Sequence, residues 1–549
     1  MNYKDLADLI FPNAKEISYY EEKYPNRNLK EGAVVTRYAP SPTGVMHIGG
    51  LYQALIAKKL SKQTDGVFFL RIEDTDQKRE IENGVSEIVS SLKDFGMEAD
   101  EGMLTDTEEK GNYGPYKQSL RKEIYQAYAK YLIEQGKAYP CFCTPEDVEQ
   151  IRQKQESAKI RPGYYGVWAK CRNITVEEAI EKIKNGDKYI IRFKSLGRED
   201  RKIKHHDIIK GNVDFPENDQ DVVIIKADGL PTYHFAHAID DHLMRTTTVV
   251  RGGEWLASAP IHYELFHLLG FKMPAYAHTA HLMKFDEETG GKRKLSKRKD
   301  PELSLDYYRK DGYHPYTMKV YLLTLLNSNF EEWHEKFPDK DINEFPFSVE
   351  KMNQSGALFD KDKLHNICKN ELSKLSEEEL YDFLYDWAKE NEPENVEKWF
   401  GDREKMLQIL RLYMGVGAKR RRKDLMYAKQ IFELISYFFD GESAEEMDEF
   451  KLDEDMVSKI LKSYLAKYDH NDDNSVWFNK LKEIADEHGF ASDMKAYKAN
   501  PENFKGNVSD IAEAVRIAVT GRANTPDLWT IVHIMGEEQM TERIKKHIK

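Results

Sequence analysis

A histidine and two glycines stand where a loop is predicted to lead into a helix. The segment reads APSPTGVMHIGG over residues 39–50 and contains His47, Gly49 and Gly50. Unpaired backbone N–H groups and the helix dipole favour phosphate at a helix start, where His47 can also donate a hydrogen bond to a phosphate oxygen. The glycines leave no side chain between the helix and a flat ligand ring. These residues predict a nucleotide site, although a helix-start histidine with packing glycines would give the same short pattern.

Two lysines three residues apart are a second candidate for phosphate chemistry. They are Lys294 and Lys297 in the segment KLSKR, and Gly290 and Gly291 precede them. We expect a glycine-hinged loop that can close its ammonium groups on phosphates. Positioned cations, together with Mg²⁺, stabilise the charge that builds up when a phosphorus atom is attacked. Because KLSK is also a common surface sequence, the pattern gains its meaning only beside the first one.

Short β-branched and apolar runs predict the elements that position the first motif. Residues 33–37 read as a strand, residues 47–62 as a helix and residues 66–72 as a second buried strand. A βαβ unit with a right-handed crossover places ligands at the carboxyl ends of its strands. Strand-like runs return at residues 222–226 and 246–251, so we expect the nucleotide domain to resume there after an insertion.

The composition of the chain excludes several classes of protein. It has 549 residues, of which 40% are hydrophobic and 32% charged, and it lacks a run of about eighteen apolar residues that could span a membrane. Residues 1–30 lack the basic-then-apolar order of a secretory signal, so we expect a cytoplasmic protein with no membrane partner. Four cysteines in so long a chain do not make a disulfide framework.

The formal net charge of −13 argues against a nucleic-acid partner only as an average over the chain. Local fields attract polyanions, and residues 292–299 (KRKLSKRK) and 419–423 (KRRRK) form two separate basic clusters. These clusters predict contacts with nucleic acid, whereas solvated basic loops would have the same composition.

Residues 37–76, with RYAPSPTGVMHIGG followed by FFLRIEDTD, resemble the active-site half of bacterial glutamyl-tRNA synthetases of class I. The segment KLSKR is similar to the KMSKS loop of the same family. Gly50 departs from the general class I pattern, which has a second histidine there. The resemblance implies ATP and Mg²⁺ as cofactors and His47, Lys294 and Lys297 as catalytic residues. The implied ATP contacts are Pro40, Thr43, Gly44, His47, Gly49, Gly50, Glu254, Trp255 and Lys297.

The resemblance also implies a site for L-glutamate, which needs partners for two carboxylates and one ammonium group. In this family Arg37 and Arg251 would bind the carboxylates through forked donors, and Glu73 would bind the α-ammonium group. Ser41 and Tyr233 would add hydrogen bonds. A structural salt bridge would account equally well for Arg251 alone. The nearest rival, a glutaminyl enzyme, usually reads FDDTN where this chain has IEDTD, and it lacks an arginine at the Arg251 position.

In the implied reaction the substrate α-carboxylate attacks ATP to give glutamyl-adenylate and pyrophosphate. Glutamate then moves to a terminal ribose hydroxyl of tRNA-Glu. The sequence offers no obvious general base, so positioning and electrostatics are expected to carry the chemistry, and the family implies that tRNA binds before activation. The sequence leaves open whether tRNA-Gln is charged as well. We expect a monomer.

The fold class implied by the resemblance is an α/β Rossmann-like catalytic domain with an inserted α+β acceptor-binding domain, followed by all-α anticodon-binding domains. The scarcity of strand-like runs beyond residue 301 agrees with this. The predicted divisions are an N-terminal extension, 1–32; the catalytic domain, 33–139 and 222–300; the acceptor-stem insertion, 140–221; a stem-contact helical domain, 301–375; and a helical anticodon-binding domain, 376–549.

Two basic segments of the helical half are candidates for RNA contacts. The best patch for the anticodon stem is Lys419, Arg420, Arg421 and Arg422. Residues 516–522 (RIAVTGR) resemble a carboxyl-terminal stretch of the family, but a capped helix end with Gly521 as its terminator explains them equally well.

Three cysteines resemble a zinc site that some bacterial members carry in the inserted domain. They are Cys141, Cys143 and Cys171, and Tyr165 would complete the set. The distance in sequence from this tyrosine to the last cysteine is longer than the site usually has, and three cysteines fall short of a tetrahedral set. Zinc and reduced thiols therefore both stay open.

Two other functions share these motifs. A shorter relative that glutamylates a modified base in tRNA lacks the long helical carboxyl-terminal half. A protein with the same fold that has lost catalysis and only binds RNA would keep the domains. The presence of His47, Lys294 and Lys297 argues against this alternative.

Overall fold

The computed structural model describes residues 2–286, 288–296, 298–352, 356–439 and 447–549. It divides into two compact units. The first unit comprises Met1–Tyr307 and Lys319–Asp360, and the second comprises Tyr308–Met318 and Lys361–Lys549. The finer six-part division made from the sequence stays a prediction.

The first unit contains the described β-strands. They are β1 (Val35–Tyr38), β2 (Val67–Leu70), β3 (Glu101–Met103), β4 (Glu109–Lys110), β5 (Ala138–Cys141), β6 (Ile190–Phe193), β7 (Lys202–Asp207), β8 (Gly211–Pro216), β9 (Val223–Ile225), β10 (Thr248–Gly252), β11 (Ala275–Thr279), β12 (Leu282–Phe285), β13 (Lys292–Lys294) and β14 (Ala357–Leu358).

The helices of the first unit lie between these strands. They are α1 (Tyr3–Ile10), α2 (Ile17–Lys23), α3 (Ile48–Lys62), α4 (Gly84–Asp94), α5 (Lys122–Glu134), α6 (Pro145–Ser157), α7 (Val176–Lys184), α8 (Tyr233–Leu243) and α9 (Ala259–Leu269); α10 (Leu305–Asp311) and α11 (Pro315–Leu326) include residues of both units, and α12 (Phe330–Lys336) follows.

The predicted βαβ unit is present. Strands β1 and β2 pair in parallel in the register Val35 with Val67, and α3 connects them. The consecutive residues Phe68 and Phe69 of β2 point to opposite faces of the sheet and both are buried, so the sheet is covered on both sides. Strand β3 extends the sheet in parallel and β4 closes it in antiparallel.

The second predicted strand run, residues 246–251, corresponds to β10, which pairs in parallel with β11. Strand β1 lies beside β10, because Val35 and Thr247 exchange hydrogen bonds of 2.8 and 3.0 Å. This arrangement brings the carboxyl ends of β1 and β10 together, which is where α/β folds bind ligands.

The strand run at residues 222–226 does not return to the nucleotide sheet, which corrects the prediction. It forms β9, which pairs in antiparallel with β6, and β6 pairs with β5. Conversely, β7 lies inside the predicted insertion but pairs with β11 of the nucleotide half at Tyr276 and Asp207. Strand partners are set by distant packing, which a local apolar run does not encode.

The N-terminal extension packs on the rest of the first unit through partly buried polar contacts. Glu21 accepts hydrogen bonds from Tyr128 at 2.8 Å and from Arg245 at 3.1 Å. Arg27 binds both carboxylate oxygens of Glu101, at 2.8 and 3.0 Å. These contacts tie residues 1–32 to the framework that surrounds the site.

The second unit is helical, as predicted. Its helices are α13 (Lys361–Leu372), α14 (Glu377–Asn391), α15 (Val396–Phe400), α16 (Arg403–Met414), α17 (Ala428–Ile435), α18 (Glu454–Lys467), α19 (Asn474–His488), α20 (Met494–Ala499), α21 (Val508–Thr520), α22 (Leu528–Met535) and α23 (Glu537–Lys545). Apolar faces of α14, α16, α18, α19 and α21 share one core. None of the described helices, in either unit, is long and apolar enough to cross a membrane.

Candidate active site

The first motif lies at the start of α3, with His47 as its N-cap. The Nδ1 atom of His47 accepts a hydrogen bond from the Gly50 backbone N–H at 3.1 Å, so the ring proton belongs on Nε2, where it can be donated. A Cβ atom on Gly50 would lie less than 3.0 Å from the Tyr38 hydroxyl oxygen. The Tyr38 phenol therefore occupies the space that a side chain at position 50 would need.

A cavity of about 320 Å³ opens in front of this helix start. It is lined by His47, Gly49, Tyr52, Gln53, Gly252, Glu254, Thr279, Ala280, His281, Leu282, Lys294, Leu295 and Leu303. The cavity thus brings together residues of both predicted phosphate motifs with Glu254 of the second half. One cavity is therefore lined by four of the residues predicted to act on the nucleotide: His47, Gly49, Glu254 and Lys294.

Other predicted nucleotide residues lie beside this cavity and do not line it. Thr43 is exposed in the loop that precedes α3, and Gly44 next to it is partly exposed. The carbonyl of Pro40 accepts a hydrogen bond from the Glu73 backbone N–H at 2.9 Å, which fixes the loop against the end of β2. The ring of Trp255 packs 4.2 Å from that of Tyr233.

Lys294 is the last residue of β13, which corrects the prediction of a glycine-hinged loop. Gly290 and Gly291 lie in the turn between β12 and β13, where Gly290 has a φ of +68°. The hairpin turn, and not the lysine segment, is what needs these glycines. Lys297 lies outside the residues that the structure describes.

A buried ion pair anchors the chain on the far side of the lysine motif. Arg293 binds both carboxylate oxygens of Asp300, at 2.6 and 2.7 Å, and the Ser296 backbone N–H donates to Asp300 at 2.8 Å. The hydrogen bonds from Arg293 lower the pKa of Asp300 to about 2. Asp300 therefore stays ionised and holds residues 293–296 in place.

Arg37 and Glu73, two predicted glutamate contacts, meet through a buried network. Arg37 Nε lies 3.3 Å from Asp241, and its Nη1 donates to the carbonyl of Val250 at 3.0 Å. Arg71 donates to Asp241 at 2.7 Å and to Glu73 at 3.0 Å. Burial raises the pKa of Glu73, while the guanidinium groups of Arg71 and Arg37 oppose that shift.

Arg251 lies on β10 among aromatic and imidazole rings. Its Nε donates to His278 Nε2 at 2.9 Å, and its Nη1 lies 3.1 Å from His262 Nδ1 and 3.4 Å from the Tyr233 hydroxyl. Its guanidinium carbon also lies 4.6 Å from the centre of the Tyr276 ring. Among the described residues no carboxylate forms a salt bridge with Arg251, which was the alternative explanation of this arginine, and neutral groups supply its contacts.

The imidazoles around Arg251 are held neutral. Burial and the charge of Arg251 lower the pKa of His234 to about 4, and burial lowers that of His237 to about 3 although Asp241 opposes the shift. Burial also lowers the pKa of His262 and of His278. The positive charge in this part of the site therefore comes from the arginines, which suits an anionic substrate.

Reasoning from the sequence did not single out the residues that hold these arginines. Arg71, Asp240 and Asp241 are buried, and Asp240 accepts a hydrogen bond from Arg121 at 2.7 Å. One signal was available: charged residues inside the apolar runs of β2 and α8 are expensive to bury without partners. Ser41, which was singled out, is exposed in the loop before α3.

The three predicted metal-binding thiols lie together in the first unit. The sulfur atoms of Cys143 and Cys171 are 3.7 Å apart, and a tyrosine hydroxyl lies 3.4 Å from Cys141 Sγ and 3.3 Å from Cys143 Sγ. That tyrosine is Tyr164 and not Tyr165, which corrects the prediction. Tyr165 faces the other way, because its hydroxyl donates to the Arg161 carbonyl at 2.6 Å.

The basic patch of the second unit lies in the loop after α16. Lys419, Arg420 and Arg421 are exposed, whereas Arg422 is partly buried and its Nε donates to Asp424 at 2.7 Å. Arg420 and Arg422 also line a cavity of about 670 Å³, together with residues of α16 and α22.

The segment 516–522 has the structure of a capped helix end. Gly521 ends α21 with a φ of +74°, and Arg516 donates to the Ala523 carbonyl at 3.3 Å. The helix end explains Gly521, and contact of this segment with RNA stays a prediction.

Comparisons with known proteins agree with this geometry. The family model described as tRNA synthetases class I (E and Q), catalytic domain, matches residues 33–366, and the model of an anticodon binding domain matches residues 379–548. The chain is 52% identical to a glutamate–tRNA ligase of Acetivibrio thermocellus and 49% identical to one of Clostridium perfringens, over 100% of both chains in each case. The crystal structure of a glutamate tRNA ligase from Elizabethkingia meningosepticum in complex with its amino acid is 28% identical, with a TM-score of 0.72 over 94% of this chain and 99% of that one. The chain therefore belongs to the glutamate–tRNA ligases, a family of class I tRNA synthetases.

Proposed function

We propose that this protein activates L-glutamate with ATP and transfers it to tRNA. In the first step an oxygen of the substrate α-carboxylate forms a bond to the α-phosphorus of ATP, and the bond to the departing oxygen of pyrophosphate breaks. In the second step the terminal ribose hydroxyl of tRNA attacks the carbonyl carbon of glutamyl-adenylate, and AMP leaves. Its membership of the family supports both steps.

The observation that carries the proposal is that the two arginines and the nucleotide cavity lie close together at the carboxyl ends of β1 and β10. Arg37 donates to the carbonyl of Val250, the residue before Arg251, and the charges of both guanidinium groups act on Tyr233 and His237. Gly252, the residue after Arg251, lines the cavity that also holds His47 and Lys294. A dicarboxylate at the arginines would thus present its α-carboxylate to a nucleotide in the cavity.

The chemistry proposed for the cavity is electrostatic. His47 would donate from Nε2 to a phosphate oxygen, and Lys294, with Lys297 by family resemblance, would offset charge on the leaving pyrophosphate. ATP would enter as its Mg²⁺ complex, and Glu254, which lines the cavity, would lie beside it. Glu73 would accept the substrate ammonium group, since Arg71 already orients its carboxylate.

For tRNA we propose that the insertion, residues 140–221, holds the acceptor end and that Lys419, Arg420 and Arg421 contact phosphates of the anticodon stem. The exposure of these three side chains supports this, because phosphate contacts need accessible cations. Charging of purified tRNA-Glu and tRNA-Gln in parallel decides whether the enzyme discriminates between them. We propose that the enzyme is a cytoplasmic monomer. Light scattering of the purified protein tests whether it is monomeric.

We further propose that the thiol cluster binds zinc with Tyr164 as the fourth ligand. The separation of 3.7 Å between Cys143 and Cys171 fits this ion, because sulfur atoms about 2.3 Å from a tetrahedral zinc lie roughly 3.8 Å apart. The Tyr164 hydroxyl lies close enough to two of the sulfurs to complete the set. Bound zinc would join strand β5 to the loop that contains Cys171.

The function is tested by glutamate-dependent exchange of pyrophosphate into ATP, with and without tRNA. We expect exchange in the presence of tRNA only. If exchange is absent under both conditions, the result would favour a protein that has lost catalysis and only binds RNA. Replacing Lys294 with Ala should slow exchange about 100-fold, as expected for the loss of one donor to the developing charge. Lys110→Ala is the control, since Lys110 is an exposed lysine on strand β4 and does not line the cavity.

Lys297→Ala tests the part of the phosphate loop that rests on family resemblance. A rate equal to that of the unaltered enzyme would remove Lys297 from the mechanism. The assignment of Lys294 would be unaffected by that outcome, because it depends on the cavity alone.

A further inference from the structure

Three side chains form a chain of hydrogen bonds that ends on Arg251. Asp207 Oδ2 lies 2.6 Å from His278 Nδ1, and His278 Nε2 lies 2.9 Å from Arg251 Nε. All three residues are buried, with exposures of 0% for Asp207 and His278 and 4% for Arg251.

The chemistry of the two end groups fixes the state of the imidazole between them. An ionised carboxylate only accepts hydrogen bonds and a guanidinium only donates them. His278 must therefore carry its proton on Nδ1, for Asp207, and present a bare Nε2 to Arg251. Burial lowers the pKa of His278, which keeps the ring in this neutral form.

Asp207 is itself held rigidly. Its Oδ1 atom accepts hydrogen bonds from the backbone N–H groups of Ile209 and Lys210, at 2.9 and 2.8 Å. Its Oδ2 atom accepts from the His278 backbone N–H at 3.1 Å as well as from the ring. Since Asp207 ends β7 and is paired with Tyr276 of β11, the sheet itself sets the position of the carboxylate.

We propose that Asp207 and His278 are positioning residues that set the rotation of the Arg251 guanidinium for its substrate carboxylate. They occupy its Nε atom and leave the two Nη atoms directed at His262, Tyr233 and Trp255. Among the described residues, Nη2 makes only a 3.5 Å hydrogen bond, to the Trp255 carbonyl, so it is the donor best placed for a carboxylate oxygen. This inference rests on the proposed role of Arg251 in binding glutamate.

A metal ion is the competing explanation for the same cluster, because His205, Asp207 and His278 could each offer a ligand atom. The hydrogen bonds argue against it. Both ring nitrogens of His278 already have partners, so this ring could bind a metal only by giving up Asp207 or Arg251. That leaves Asp207 and His205 Nε2, 3.8 Å from it, which are too few ligands for a metal site. A cation here would also face the guanidinium of Arg251.

Asp207→Asn tests the inference with almost no change in shape. Through its oxygen the carboxamide can keep the hydrogen bonds from the backbone N–H groups of Ile209 and Lys210, and the 3.3 Å one from that of His278, but its NH₂ group then faces His278 Nδ1. The imidazole proton must move to Nε2, where it opposes the Arg251 Nε–H. We expect the KM for glutamate in tRNA-dependent pyrophosphate exchange to rise about tenfold or more, since hydrogen bonds to charged groups are worth this much. The KM for ATP should change less than about twofold, because the cavity is untouched.

Rescue by a second substitution separates positioning from a general loss of structure. An amide has no tautomers, so the glutamine oxygen in His278→Gln can accept from Arg251 whatever stands at position 207. The double variant Asp207→Asn/His278→Gln should therefore recover much of the glutamate KM lost by Asp207→Asn alone. The matched control is Asp214→Asn, an exposed acid on the neighbouring strand β8.

Different results would refute different parts of the proposal. If Arg251→Ala leaves the glutamate KM unchanged, the proposed function of Arg251 is wrong. If Arg251→Ala raises it while Asp207→Asn does not, only the positioning role is refuted. Equal rises in the KM for glutamate and ATP, with a lower melting temperature and no rescue, would show a structural role instead. Loss of a bound metal from the purified Asp207→Asn protein would establish the competing explanation.

Discussion

Asp241 accepts a hydrogen bond from Arg71 at 2.7 Å, and neither side chain exposes any surface to solvent. The same carboxylate lies 3.3 Å from Arg37 Nε, and Arg71 also donates to Glu73. One buried acid on α8 thus orients both the guanidinium proposed for a substrate carboxylate and the acid proposed for the substrate ammonium group.

Replacing Asp241 with Asn should therefore impair folding and glutamate binding together. Arg37 would lose its carboxylate partner and Arg71 the nearest of its three, and breaking a buried pair destabilises a protein by about 3–5 kcal/mol. We expect a lower free energy of unfolding in urea and a higher KM for glutamate. Asp200→Asn is the control, because Asp200 pairs with Arg198 where both side chains are more than half exposed. An Asp241→Asn protein as stable as the control would contradict this account of the network.

Replacing His47 with Asn should reduce catalysis without loosening α3. Asparagine is a good N-cap and can still accept the Gly50 N–H, but it lacks the imidazole Nε2–H that would reach a phosphate. We expect pyrophosphate exchange to fall about 100-fold while the melting temperature stays within about 2 °C of the parent value. Full activity in this variant would exclude a role for the imidazole.

Replacing Gly50 with Ala should destabilise the protein, contrary to the usual effect of this change in a helix. Alanine normally stabilises a helix by about 1 kcal/mol relative to glycine. Here the added methyl group would press against the Tyr38 hydroxyl, and overpacking of this kind costs about 1–3 kcal/mol. Tyr38→Phe removes that oxygen, so the double variant should regain stability in thermal melts. Additive effects of the two substitutions would show that the contact is not the cause.

The two adjacent tyrosines give a matched test of the zinc proposal. Tyr164→Phe should lower the zinc content of the purified protein and weaken its resistance to chelators, because the hydroxyl beside the sulfurs is lost. Tyr165→Phe should change neither, since that hydroxyl bonds to the Arg161 carbonyl. Zinc absent from the unaltered protein, by elemental analysis, would refute the proposal outright.

Acid should destabilise the first unit through its buried histidines. The pKa of His234 is about 4 in the folded protein, below the usual value of 6.5. The unfolded chain therefore binds the proton more readily, so this stability is complete above pH 6.5 and is lost as pH falls towards 4. At pH 5 one such histidine lowers the free energy of unfolding by about 2 kcal/mol. His234→Gln should reduce the difference between urea unfolding at pH 7 and at pH 5 by about that amount. An undiminished difference would show that His234 is not a source of it.

Local patterns in the sequence were sufficient for the βαβ unit, the helix start at His47 and the helical second unit. Each depends on neighbours a few positions apart: β-branched runs for β1 and β2, a loop ending in an N-cap for α3, and amphipathic spacing for the helices of the second unit. The family resemblance added the residues of the glutamate site, which no local pattern identifies.

Contacts between distant parts of the chain could be decided only by the tertiary structure. Asp241 lies 204 residues from Arg37 and Asp207 lies 71 residues from His278, so no periodicity in the sequence links them. The choice of Tyr164 over Tyr165 depends on which way one turn directs two neighbouring side chains. Likewise, β9 and β7 belong to sheets other than those expected, because strand pairing follows long-range packing and not local composition. The sequence determined which groups could do the chemistry, and only folding determined which acid and imidazole hold them in place.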